Sequence, residues 1–199
     1  MKSKWFIPGV IVGIIVILMA LFSGTYNGLV GDREKVRTSF SNLESQYQRR
    51  TDLVGNLVNT VKGSSAFEQD TLTKVTEARA NVAGIKIDNN TSQEKLQAYV
   101  DAQNQVTGAL SRLIAVAENY PDIKSTAAYQ DLMVQLEGTE NRIQVARSDY
   151  NEVARPYNTR LQTFPTMLIA SILGFEKSPY FQASTGSETA PKVDFSTNK

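Results

Sequence analysis

The sequence predicts an all-α protein: an N-terminal transmembrane helix followed by a long antiparallel four-helix bundle with heptad seams. Three observations predict it. Residues 5–22 read WFIPGVIVGIIVILMALF, and no charge stands between Lys4 and Asp32. Beyond Asp32, apolar residues recur at steps of three and four. Gly (12) and Pro (6) are too few among 199 residues for a turn-rich β protein.

Residues 1–4 form a short basic N-terminus and residues 5–26 the anchor helix. The apolar run, extended through Tyr26, meets the roughly 20 residues that a spanning helix needs. Trp5 and Tyr26 sit at its two ends, where amphipathic rings favour the headgroup layer. Pro8 falls in the first turn, where its missing N–H costs little. A cleaved signal peptide would carry an apolar core of about 7–15 residues followed by small residues. Here the core is longer and Phe22 is a poor residue before a cleavage site, so a retained anchor is expected. Lys2 and Lys4 precede the helix while Arg33, Lys35 and Arg37 follow it, so the positive-inside rule nearly balances. The basic start and long apolar core lean toward a cytoplasmic N-terminus and an extracytoplasmic body.

The bundle is expected over residues 32–165. In its first helix Val36, Phe40, Leu43, Tyr47, Val54, Leu57 and Val61 form an a/d seam, with Arg50 in the one polar position. Gly63, Ser64 and Ser65 read as a stop and a new cap. A second helix carries Glu68, Leu72, Val75, Arg79 and Val82 at the same spacing. Thr91 with Glu94 reads as a capping box for the third, whose seam runs Leu96, Tyr99, Gln103, Val106, Leu110, Leu113, Ala117 and Tyr120. Pro121 ends it. The fourth starts at Ser125 or Thr126, and Pro156 inside it should kink it near residues 151–152. Gly28 and Gly31 could loosen the joint between anchor and body. Without a break there, residues 5–62 make one rod of roughly 87 Å.

Residues 166–181 are read as a short apolar helix and C-terminal cap. The run TMLIASILGF at 166–175 is too short to cross a bilayer. Covering the bundle end is the expected role, ahead of lying in the interface or meeting another copy. Residues 182–199 are Ser/Thr-rich and read as a disordered tail.

Composition narrows the chemistry. The chain has no Cys and no His, which removes thiol nucleophiles, Ser-His-Asp triads and Cys/His metal sites. No phosphate loop is present, and no cofactor is expected. Lys+Arg (21) balances Asp+Glu (20), so nothing steers nucleic acid. The polar residues at or beside the seams are Arg50, Glu68, Arg79, Gln103, Glu140 and Arg147. Buried Arg–Glu pairing that fixes register is the expected role.

Several stretches, in order, resemble the LemA family of bacterial membrane proteins. They are TYNGLV at 25–30, QRRTDLVGNLVNTVKG at 48–63, FEQDTLTKVTEARA at 67–80 and NYPDIKS at 119–125. TENRIQVARSDYNEVARPYNTRLQTFP at 139–165 and LIASILGFEKSPYF at 168–181 complete the set. Where the family commonly has Ile-Pro-Asn, this chain has Val54-Gly55-Asn56. The resemblance implies one N-terminal membrane helix, a helical bundle and no known enzymatic activity. It also marks Tyr26, Asn27, Asp52, Asn141, Tyr150 and Asn151 as motif positions alongside the seam residues, with hydrogen bonding inside the bundle as their implied role. The reading is a non-enzymatic, single-pass protein of the bacterial inner membrane. It would serve as a scaffold or adaptor that associates with itself or another membrane protein. The alternative is a membrane-tethered sensor or ligand-binding bundle.

Overall fold

The computed structural model of the chain describes residues 6–63, 68–87 and 91–182. Six helices and no strand occur among the described residues. They are α1 (Phe6–Lys62), α2 (Gln69–Gly84), α3 (Gln93–Ala117), α4 (Pro121–Lys124), α5 (Ala127–Gln162) and α6 (Thr166–Ile172). The basic residues 1–4, Trp5, the Ser65 cap and the tail beyond Gln182 lie outside the described residues.

α1 is a single helix of 57 residues, about 86 Å long at 1.5 Å per residue. Val10 to Phe22 are bare, and α1 is long enough, and apolar enough over an 18-residue window near its N-terminus, to cross a membrane. From Leu29 onward one face of the same helix is buried: Leu29, Val36, Phe40, Leu43, Tyr47, Arg50, Val54, Leu57 and Val61. Gly28 and Gly31 do not loosen the joint. The Arg160 guanidinium lies over Gly28, so near that an added Cβ would meet its Cζ at 2.7 Å. Gly55 is likewise a place of close approach. The Arg79 guanidinium lies flat on it, 2.9 Å from where a Cβ would stand.

The caps follow from exposure. α3 is capped by Ser92, whose hydroxyl accepts from the Lys95 N–H at 3.3 Å. The expected cap, Thr91, is buried one residue earlier and faces the core instead. Of the two candidates, Ser125 and Thr126, it is Thr126 that caps α5, accepting from the Tyr129 N–H at 3.3 Å. Pro121 ends α3 but also opens α4 at its first turn, where Ile123 is buried. α5 runs through Pro156 without a break. Its end is followed by a cis Phe164–Pro165 bond.

Contacts give the directions. Asp32 meets Arg160, Phe40 meets Tyr150, Tyr47 meets Arg147 and Arg50 meets Glu140, so α5 runs antiparallel to α1. Tyr47 meets Tyr99 and Arg50 meets Gln103, so α3 runs parallel to α1. α2 packs against α3 and lies against α1 through Arg79 and Gly55. One core unites these helices, with Leu43, Val54, Leu57, Val75, Leu96, Leu113 and Ile143 all buried. Each such side chain contributes roughly 1.5–3 kcal/mol.

Gly55→Ala is expected to stabilise an Arg79→Ala variant by about 1 kcal/mol, the ordinary helical gain over glycine. With Arg79 present the gain should be smaller, because the guanidinium must move. Urea unfolding of the four proteins in detergent measures both. Equal gains in the two backgrounds would show that Arg79 does not rest on Gly55.

Candidate functional site

The polar seam centres on Arg50, which is 3% exposed. Its position in the a/d series of α1 points it at α3 and α5. Nη1 donates to Glu140 Oε2 at 3.0 Å and to Thr107 Oγ1 at 3.1 Å. Nη2 donates to the Gln103 carbonyl at 3.2 Å and to the Gln103 side-chain oxygen. The buried Gln103 amide in turn donates to the Tyr99 hydroxyl at 2.8 Å. Tyr99 packs edge-on against Tyr47, with ring centres 5.4 Å apart. The Tyr47 hydroxyl accepts from Arg147 Nε at 2.8 Å. One chain of bonds therefore ties α1, α3 and α5 across the core.

Of the five charged seam residues, Arg50 and Glu140 form an ion pair. Glu68 and Arg79 do not meet. They are 11 residues apart along one helix, about 16 Å. Glu68 is exposed at the start of α2 and accepts from Thr71 Oγ1 at 3.2 Å, while Arg79 rests on Gly55. Arg147 bonds a phenol rather than a carboxylate, and its guanidinium stands 5.6 Å from the Phe181 ring centre. Asp52 accepts from Gln48 at 3.0 Å on the exposed side of α1. Asn27 is exposed, Tyr26 packs edge-on against Phe175, and Asn141 lines an open groove between α1 and α5.

Tyr150 and Asn151 belong to a second constellation that includes Tyr157 and Asn158. The Asn151 amide donates to the Phe181 carbonyl at 2.8 Å and its oxygen accepts from the Phe181 N–H at 3.0 Å. Asn158 does the same with Ser178, at 2.7 and 2.9 Å. Tyr150 and Tyr157 donate to the carbonyls of Pro179 (2.9 Å) and Glu176 (3.0 Å). The spacing explains the fit. Seven helical residues rise about 10.5 Å, and three extended residues cover about 10 Å. Two asparagines thus bond peptide groups three apart, and residues 175–182 run back along α5. Sequence reasoning missed Tyr157 and Asn158 as partners of this segment. The available signal was the Tyr-Asn pair at 150–151 recurring seven residues later.

These groups bond one another. Burial pushes the phenol of Tyr99 from 10.0 up to about 12 despite the bond from Gln103. It does the same at Tyr150, also to about 12. Protonated phenols at neutral pH serve as hydrogen-bond partners rather than bases. No cluster of three or more Asp and Glu among the described residues is placed to hold a metal ion. An open cleft of about 510 Å³ lies between residues 91–93 and 174–180, with Arg33 and Tyr157 on its wall.

Fold and seam together define a class: an all-helical membrane protein, its body carried on a long apolar-tipped helix and locked by a buried arginine network. The chain belongs to the LemA family, whose model matches residues 39–195. The match begins after Tyr26 and Asn27. The chain is 31% identical to magnetosome protein MamQ 2 of Paramagnetospirillum magneticum over 193 residues, covering 88% of this chain and 71% of that one. It is 27% identical to protein LemA of Metamycoplasma hominis over 164 residues, with 82% and 72% covered.

Alkaline stability follows from the phenols. Their folded pKa values stand above the unfolded value, so their contribution is complete below about pH 10 and is lost as pH rises toward about 12. Tyr99→Phe should flatten that loss, read as unfolding midpoints at about pH 8 and about pH 11. An unchanged slope would contradict it. Asn151→Asp/Asn158→Asp replaces two donors by carboxylate oxygens facing carbonyls. It is expected to cost about 1–3 kcal/mol per site and to speed amide exchange at Ser178 and Phe181. Wild-type exchange there would contradict the pinning.

Proposed function

We propose that the chain is a non-enzymatic, single-pass protein of the bacterial inner membrane. Its body, an antiparallel four-helix bundle with heptad seams, self-associates or gathers another membrane protein as a scaffold or adaptor. The observation that carries this reading is the continuity of α1. One unbroken helix bears the apolar length and also the body's seam, so the body is held rigidly and reaches well away from the bilayer. The inward-facing polar network supports a structural rather than a chemical role. The relatives named as magnetosome proteins extend the comparison to proteins named for a cellular structure rather than a reaction. An extracytoplasmic body is part of the proposal, on the strength of the basic start.

Light scattering on the full chain in nanodiscs and mild detergent tests self-association. A discrete assembly larger than one chain is the expected result. A monomer at every concentration would overturn self-association. It would favour the second reading, a tethered ligand-binding or sensor body, which rests on the cleft between residues 91–93 and 174–180. The side of the membrane is tested with Val134→Cys, since the chain has no Cys and Val134 is 70% exposed. Labelling by an impermeant maleimide on intact cells is expected. Labelling only after lysis would reverse the orientation.

A further inference from the structure

Beyond the bare length of α1, the large apolar side chains exposed among the described residues are unevenly placed. Val134 and Val145 stand apart along α5. Phe164, Met167, Leu168, Ile172 and Leu173 are gathered on and around α6. Phe164 and Ile172 are each 78% exposed. No charge occurs between Arg160 and Glu176. The opposite face of α6 is buried through Thr166 and Ala170, so the helix is two-sided.

Its place in the fold is specific. α6 packs on both α5 and α1. Phe175, just after it, meets Tyr26 edge-on with ring centres 6.1 Å apart and lies 5.0 Å below the Arg33 guanidinium. Just before it, Arg160 donates to Asp32 at 2.8 Å. The apolar face of α6 therefore sits at the end of the body where the bare length of α1 begins. We infer that α6, with Phe164 and Leu173, lies in the interface of the same bilayer that α1 crosses, so that the body touches the membrane at two points. The inference rests on the membrane-spanning reading of α1.

Three physical arguments favour lipid as the occupant. Side chains of this size left in water forfeit roughly 1.5–3 kcal/mol each, and patches of this kind mark contact surfaces. Seven residues rise only about 10 Å, far less than the roughly 30 Å of a hydrocarbon core, so α6 can lie on a bilayer but not span it. The patch is also continuous with the apolar surface of α1, whereas a contact with a second copy would have no reason to stop at this end.

Depth-dependent quenching tests it. Full-length Ile15→Cys, Ile172→Cys and Val134→Cys each carry one fluorophore in phosphatidylcholine–phosphatidylglycerol vesicles, at less than one chain per vesicle on average. All three positions are exposed, and matching helical melts confirm the fold. Quenching by a shallow nitroxide lipid is expected to be at least about threefold stronger at position 172 than at 134. A deep nitroxide should act most strongly at position 15. Position 172 behaving like 134 while 15 is quenched would overturn the inference and leave the anchor standing. No quenching at position 15 would overturn the spanning reading itself. Quenching at 172 that appears only at high protein density would assign the patch to a second copy, which also overturns the inference.

Discussion

The antiparallel pairing of α1 with α5 is the interaction on which the rest of the molecule depends. α6 is carried between these two helices, α2 lies against α1 through Arg79 and Gly55, and α3 reaches α1 through Tyr47 and Arg50. Because α1 is unbroken, a rotation of its apolar length about the helix axis is a rotation of the whole body. A flexible link at Gly28 would have separated the two. The Arg160 guanidinium occupies the space above that glycine, and its bond to Asp32 closes the α1–α5 pair there. Burial raises the Asp32 carboxyl, but the bonds from Arg160 and Lys35 outweigh it and hold it below its ordinary 3.8. That closure weakens as acid protonates the carboxyl.

At mid-height the body has a charge where an apolar residue would pack better. A buried ion pair rarely adds net stability over well-packed apolar groups, because desolvating both charges offsets their attraction. Arg50 lowers that cost by keeping Glu140 partly in water, with its side chain 41% exposed, and by spending its remaining Nη donors on Thr107 and Gln103, while its buried Nε finds no partner among the described residues. What the arrangement provides is register. A slip of α5 by one turn would strand a guanidinium among leucines and valines. A slip of α3 would carry the Thr107 hydroxyl and the two Gln103 oxygens away from Arg50 and leave its guanidinium donors unmatched.

The helical class, most of the seam positions along α1 and α3, and Thr126 as one of two caps for α5 were legible, because spacing and capping chemistry are local. The unbroken joint at Gly28 was not. It depends on a guanidinium arriving from position 160. Ser92 rather than Thr91 caps α3, because which of two adjacent hydroxyls faces solvent is set by packing. The Arg50–Glu140 pair was legible as a kind of contact, but the fate of Glu68 and Arg79 was not. Seam positions on one helix say nothing about which partner lies opposite. The asparagine ladder was written in the sequence as a heptad of Tyr-Asn pairs. Its partners are backbone groups of residues 176–181, which carry no side-chain signature.

That ladder also explains how a seven-residue helix holds its place. On its own α6 is too short to be stable in water, since helices below about 12 residues are marginal. It is fixed at one end by the Arg160–Asp32 bond and at the other by the run of bonds from Glu176 to Phe181 onto α5. Between these pins the chain has to turn back on itself, and Gly174, with φ at +68°, supplies the left-handed residue that lets it do so. The turn brings Phe175 onto Tyr26 and leaves the outer side chains of α6 facing away from the body. Polar bonds made along the C-terminal part of α5 thereby decide where an apolar surface is presented near the foot of the molecule.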